Sequence, residues 1–241
     1  MGRQGFAITP KVVTPTVVDS PRHIAVVRIT HWIVVLSVFG LLVSGIGILI
    51  AHPRLYWGET GSVGTESLID LPIPFVFGPS VWNRPIHFLS AWILVLTGIT
   101  YVVGGCVTHH FRKDLLPSKA DLSWNRIMGV ISDHLRWKRT NADDPWTYNV
   151  VQRLTYLAVV FALFPAIVWT GLAMSPGITS VFPVLATALG GHQSARSLHF
   201  IFVNVMVLFL IVHIAMLCLA GFKNEVRAMI TGYIPRERSN R

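Results

Sequence analysis

The sequence predicts an all-α membrane protein, a four-helix transmembrane bundle. Three observations carry this. Only 13% of the 241 residues are charged, 52% are hydrophobic, and the mean hydropathy is +0.57; a soluble domain carries about 25% charged residues. Four long stretches contain no Asp, Glu, Lys or Arg. The basic residues that produce the net charge of +9 are gathered at alternate ends of those stretches. This composition argues against a soluble enzyme, a disordered chain and a secreted disulfide scaffold. A nucleic-acid binder would need a continuous basic face, and uncharged runs interrupt the basic residues here.

The elements follow in order. Residues 1–23 form a polar tail with Pro and Thr and lack the apolar core of a signal peptide. A bilayer span needs about 20 apolar residues. The stretches 29–53, 85–111 and 197–222 are free of Asp, Glu, Lys and Arg. So is 154–195, which Pro176-Gly177 interrupts. Spanning helices are therefore expected near 25–50, 85–107, 152–174 and 197–220 of a single domain, 1–241.

Seventeen of the 20 Lys and Arg residues fall in the N-terminal tail, the second loop and the C-terminus. Three, Arg54, Arg84 and Arg196, fall on the other side. The positive-inside rule then places both termini and the 108–151 loop in the cytoplasm. Cys106 and Cys218 lie near cytoplasmic helix ends, so free thiols are expected. Residues 118–139 open with the cap-like Ser118-Lys-Ala-Asp121 and carry Trp124, Met128, Ile131 and Leu135 at helical spacing. They read either as a helix on the cytoplasmic membrane surface or as a plain loop helix. The Pro- and aromatic-rich outer loop 52–83 reads either as a partner surface or as interfacial anchoring.

Ionisable residues inside a membrane are functional candidates by default, and here they are histidines. His31 and His213 lie at the cytoplasmic ends of the first and fourth spans, His87 and His199 at the outer ends of the second and fourth. His199 and His213 are 14 residues apart. At about 100° and 1.5 Å per residue they share one helix face, roughly 21 Å apart along the axis. Each membrane level thus holds two histidines from different helices. Two imidazoles facing across a bundle suit a six-coordinate haem iron. Zinc would want three or four ligands at one level, and a proton relay would want Asp or Glu inside the spans; neither occurs.

Three of these histidines have an Arg three residues earlier: Arg28 before His31, Arg84 before His87 and Arg196 before His199. Such a pair shares one face, and the Arg lies closer to the membrane surface, where haem propionates would sit. A snorkelling Arg at a helix end explains any one of them equally well, but three recurrences beside candidate ligands favour the functional reading. Helix three opens with Arg153, but the matching position is Tyr156. Gly40, Gly45, Gly47, Gly98 and Gly171 could admit a flat macrocycle; small-residue helix packing explains them equally well.

On the motif Arg28-Ile-Thr-His31-Trp32 and the His199/His213 pair, the chain resembles the bacterial cytochrome b561 family from about Arg22 to Gly232. That family includes the membrane cytochrome b subunits of nickel–iron hydrogenases, formate dehydrogenases and thiosulfate reductases. The resemblance implies two stacked haem b groups, one held by His31 and His213 near the cytoplasm, the other by His87 and His199 near the periplasm. It implies electron transfer between an extracytoplasmic partner and quinone in a bacterial inner membrane. Ala51-His-Pro-Arg-Leu-Tyr-Trp-Gly58, His110-Phe-Arg-Lys-Asp-Leu-Leu-Pro117, Ala173-Met-Ser-Pro-Gly177 and Gly191-His-Gln-Ser-Ala-Arg196 are similar to subunits that accompany exported molybdopterin-dependent oxidoreductases. Quinone in such subunits lies near the start of helix three, here Tyr148, Asn149 and Gln152, with His109 and His110 nearby; Asn149 and Gln152 also suit a plain helix cap.

The first functional reading is therefore an electron-transfer subunit of an oxidoreductase complex, with the redox chemistry belonging to the haem. A stand-alone superoxide:quinone oxidoreductase, guided by Arg54, Arg84 and Arg196, is the alternative. A transporter would show inverted repeats or unwound polar helix centres, which the sequence lacks.

Overall fold

The computed structural model describes residues 24–61, 64–72, 81–109 and 150–233, with isolated positions 111, 116, 123, 128, 129 and 132. The tail 1–23 and the quinone candidates Tyr148 and Asn149 lie outside the described residues, as does the surface-helix segment 118–139 apart from isolated positions.

Among the described residues four helices are long and apolar enough to cross a membrane. They are α1 (Ala25–Ala51), α2 (Asn83–Val107), α3 (Val150–Ala173) and α6 (His192–Thr231). Between α1 and α2 the chain forms a ribbon of β1 (Arg54–Leu55) and β2 (Ile69–Asp70), antiparallel with Arg54 opposite Asp70. The short helices α4 (Pro176–Thr179) and α5 (Val184–Thr187) follow α3. The observed spans match the expected ones to within a few residues, except that α6 runs further at both ends.

The burial pattern is that of a bundle in lipid. Large apolar side chains point outward: Leu36 is 71% exposed, Phe39 67% and Leu208 61%. The buried positions in the spans are mostly small or hydroxylic, among them Thr30, Ser37, Ser44, Thr97 and Thr170. Lipid tails are as apolar as Leu, so close approach of small residues, not hydrophobic burial, is what packs such helices. A Cβ on Gly47 of α1 would strike the Asn83 side chain of α2.

Two helices depart from regular geometry. Pro165 lacks the N–H that would bond the Phe161 carbonyl. A π turn over Val159–Leu163 lies just before it in α3. In α6 the backbone breaks at Gly221 (φ 111°, ψ 76°), and the helix continues to Thr231 in a new direction. That last segment passes the start of α1, where Arg28 Nη1 donates to the Ile230 carbonyl at 3.0 Å and Trp32 Nε1 to that of Met229 at 3.3 Å. The crossing borders an apolar groove of about 480 Å³ lined by Arg28, Ile29, Trp32, Ile33, Met229 and Ile230.

The opposite end, which the charge bias assigns to the outside, is tied as firmly. The first N–H groups of a helix have no partner within it. Those of α6 are met by the loop after α1. Glu59 Oε2 accepts from His192 N–H at 3.0 Å, and the Gly58 carbonyl accepts from Gln193 and Ser194 at 3.0 and 3.2 Å. Ser194 Oγ accepts from Gly58 N–H at 2.8 Å, and Ser197 Oγ donates to the Tyr56 carbonyl at 2.6 Å. The negative carboxylate also suits the positive end of the helix dipole. Ala173, Ala186 and Ala195 form a small buried cluster beneath α4 and α5. Arg54 and Asp70 pair at 3.3 Å, but both are over half exposed, so the pair adds little.

Gly191 makes the trans-cap possible. It sits at φ 110°, ψ 173°, and a Cβ there would meet the Gly58 carbonyl at 2.6 Å and the Glu59 carboxylate. That backbone region is essentially glycine's own and costs other residues about 1–3 kcal/mol. Gly191→Ala is therefore expected to lower the thermal midpoint of the detergent-solubilised protein, followed by far-UV circular dichroism. Gly177→Ala, where a Cβ meets nothing within 4 Å, should leave it nearly unchanged.

Candidate functional site

The bundle is two hairpin-like pairs, α1 with α2 and α3 with α6. The candidate histidines meet across the space between the pairs. At the outer level His87 of α2 faces His199 of α6, ring centroids 6.4 Å apart and planes at 65°. At the inner level His31 of α1 and His213 of α6 are electrostatic neighbours. His31 meets Trp32 edge-on at 5.5 Å, and His213 stacks on Phe209 at 5.7 Å.

The outer pair has a second feature that the sequence reading missed. Ser44 Oγ lies 3.0 Å from His87 Nδ1, and Thr170 Oγ1 lies 2.9 Å from His199 Nδ1. Each hydroxyl has one hydrogen, and each already donates it within its own helix. Ser44 donates to the Gly40 carbonyl at 2.6 Å and Thr170 to the Ala166 carbonyl at 2.8 Å. A hydroxyl that gives its hydrogen to that carbonyl offers the imidazole only its oxygen; the ring then carries hydrogen on Nδ1 and keeps the Nε2 lone pair free for a metal. The backbone of Leu41 and of Ile167 also hydrogen-bonds His87 and His199, respectively.

An iron with an imidazole nitrogen on each side, at a metal–nitrogen distance of about 2 Å, needs ring centroids roughly 6 Å apart. The 6.4 Å spacing and the bare Nε2 atoms fit that group. At the inner level His31 Nδ1 is buried without a hydrogen-bond partner, unlike the Nδ1 atoms of the outer pair. Among the described residues no three His, Cys, Asp or Glu side chains gather as a metal site.

The three candidate arginines are placed differently. Arg28 spends Nη1 on the Ile230 carbonyl, while its Nε is buried without a partner. Arg84 is exposed at the start of α2. Arg196 reaches the His52 carbonyl with Nη2. Burial, then the nearby guanidiniums of Arg196 and Arg84, holds the His52 imidazole below the usual histidine range, so these three basic groups share one outer corner. Arg153, which lies in the candidate quinone region at the start of α3, also has a buried Nε without a partner. Gln152 sits half-buried in the first turn of α3. His109, just past α2, holds a left-handed φ of 56°.

The glycines fall into separate roles. A Cβ on Gly45 would sit 3.4 Å from His87 Cε1, and one on Gly171 would sit 3.6 Å from His199 Cε1. These two adjoin the ligand rings themselves. Gly40 and Gly47 serve the contact with α2, and Gly98 faces nothing within 4 Å. Both cysteines are free.

Comparison with known proteins identifies the family. The family model described as prokaryotic cytochrome b561 matches residues 22–232. A relative from Azospira oryzae, named putative protein-methionine-sulfoxide reductase subunit YedZ1, is 30% identical over 206 residues, covering 86% of this chain and 93% of its own length. No solved structure matches significantly. The four apolar spans and the family match together assign the chain: it belongs to the prokaryotic cytochrome b561 family, as a multi-pass bacterial membrane protein and an electron-transfer subunit of that haem-b-binding type.

Proposed function

We propose that this chain is a dihaem cytochrome b subunit that carries electrons across the inner membrane between the quinone pool and a periplasmic, molybdopterin-dependent oxidoreductase. The observation that carries the reading is the outer pair, His87 and His199, facing at 6.4 Å with each Nδ1 within 3.0 Å of a buried hydroxyl. His31 and His213 hold the second iron at the inner level. The haem supplies one-electron redox chemistry when bound. The chain's own part is to set the depth, spacing and ligand strength of the two sites.

Arg84 and Arg196 meet propionates of the outer haem and Arg28 those of the inner one; the buried, unpartnered Nε of Arg28 and the one-turn spacing of each Arg from its histidine support this. Quinone binds at the start of α3, near Gln152 with Tyr148 and Asn149. Support for the partner comes from the Azospira oryzae relative, whose name places it as a subunit of a protein-methionine-sulfoxide reductase and nearly all of whose length this chain matches. The apolar outer end offers that partner a surface, with Trp57, Trp82 and Phe182 all more than half exposed. The superoxide alternative relies on three outer cations, and one of them, Arg54, is paired with Asp70.

Four measurements test this reading. A pyridine haemochrome assay should give two haem b per chain. His87→Ala and His199→Ala should each abolish the same haem, and His31→Ala and His213→Ala the other. Loss of one common haem in His31→Ala and His87→Ala would overturn the pairing. Arg196→Ala should keep both haems and shift the potential of the outer one alone; an unchanged redox titration removes the propionate role. For orientation, a green fluorescent protein fused after residue 241 should fluoresce, while alkaline phosphatase fused there should be inactive.

A further inference from the structure

Serine and threonine hydroxyls bond backward to the carbonyl one turn earlier throughout these helices. Thr30, Ser37, Thr97, Thr100 and Thr155 all do so. That bond alone means nothing, since it is the default for a hydroxyl in an apolar helix. Ser44 and Thr170 differ because each hydroxyl oxygen also lies within hydrogen-bond distance, 3.0 and 2.9 Å, of the Nδ1 of an imidazole on the neighbouring helix.

The two instances are copies of one device. In α1 the order is Gly40, three apolar residues, Ser44, Gly45; in α3 it is Ala166, three apolar residues, Thr170, Gly171. In each, the first residue's carbonyl takes the hydroxyl hydrogen. In each, the hydroxyl oxygen takes the imidazole hydrogen, and the glycine adjoins the ring. One copy serves His87 from the α1–α2 pair and the other serves His199 from the α3–α6 pair. Ser44 and Thr170 are both almost wholly buried, at 2% and 1% exposure.

We propose that Ser44 and Thr170 are a matched pair of positioning residues that set ring orientation and ligand strength at the outer iron. The inference rests on the proposed ligand assignment of His87 and His199. An acceptor on Nδ1–H fixes the tautomer and makes the imidazole a stronger donor. A stronger donor favours the ferric state and lowers the reduction potential. A hydroxyl whose own hydrogen is committed to a carbonyl is a better acceptor than an idle one. The inner level lacks this device at His31, whose Nδ1 is without a partner. Among the described residues the device is therefore seen at the outer level, and the effect is expected at the outer haem.

The test uses the full chain purified in detergent with both haems loaded. Potentiometric titration and low-temperature electron paramagnetic resonance are run on Ser44→Ala, Thr170→Val, Ser44→Thr and Thr170→Ser. Ser44→Ala and Thr170→Val should each raise the midpoint potential of one haem, the same haem in both, and alter the low-spin signal of that haem only. Ser44→Thr and Thr170→Ser should stay close to the parent protein. If a hydroxyl-less variant loses the outer haem while its conservative counterpart keeps it, the proposal also stands. Unchanged potentials and signals in both hydroxyl-less variants overturn it and leave the ligand assignment intact. Equal effects from the conservative variants overturn it too, because side-chain volume is then the cause. Effects on two different haems break the pairing of His87 with His199 itself.

Discussion

A buried imidazole in hydrocarbon has two nitrogens to satisfy and no water to satisfy them. That constraint organises this bundle. An unpaired polar group in lipid costs several kcal/mol, so each ring must find a donor or acceptor for both atoms. At the outer level one nitrogen of each ring is met by a hydroxyl from the partner helix of the same pair. Across the gap between the pairs the two rings stand 6.4 Å apart, a spacing that suits a metal accepting two neutral nitrogen ligands.

Holding two such rings at a fixed spacing requires the two helix pairs to be registered against each other. Close packing occurs within the pairs, so registration falls to the ends. At the outer end the loop 56–59 caps the start of α6. At the inner end Arg28 and Trp32 of α1 grip the last turn of α6. Helix α6 carries a histidine of each level. Clamping it to α1 at both ends therefore fixes the depth of both sites at once. The kink at Gly221 belongs to the same logic, since without a change of direction the last turn would not run past the start of α1.

Much of this was legible in the sequence, and the reason is physical. Uncharged runs of bilayer length leave little choice but a helix, so the spans came out within a few residues. The histidine levels followed from helical periodicity along α6 and from which end of a span each residue occupies. What stayed hidden depends on contacts between distant residues. The ribbon Arg54–Leu55 and Ile69–Asp70 is too short to show alternation. The capping of α6 joins Glu59 to His192, far apart in sequence. Ser44 and Thr170 looked like ordinary small residues of a membrane helix. The repeated spacing of a small residue, a hydroxyl and a glycine in α1 and α3 was the available signal. It acquires meaning only when the facing helices bring in His87 and His199. The arginine regularity read well as a pattern, yet the structure shows that Arg28 and Arg196 also serve as ties between segments. A residue at a helix end can do both, since a guanidinium has five N–H donors to distribute.

The two levels are not equivalent, and the difference has a direction. The outer rings are anchored by hydroxyls, which strengthens them as donors. The inner ring of His31 has an aromatic edge beside it and no acceptor on Nδ1. Two sites with the same ligand type would otherwise have similar potentials apart from their surroundings. Hydrogen bonding to the ligand and the placement of cations are the levers a protein has to separate them. In the proposed dihaem reading both levers meet at the outer site: the Ser44 and Thr170 hydroxyls, 3.0 and 2.9 Å from the His87 and His199 Nδ1 atoms, would lower its potential, while Arg84 and Arg196, beside His52 at the same end, would raise it. Arg28 would act in the same sense as those arginines at the inner site, so the step between the two levels would be a balance of hydroxyls against cations.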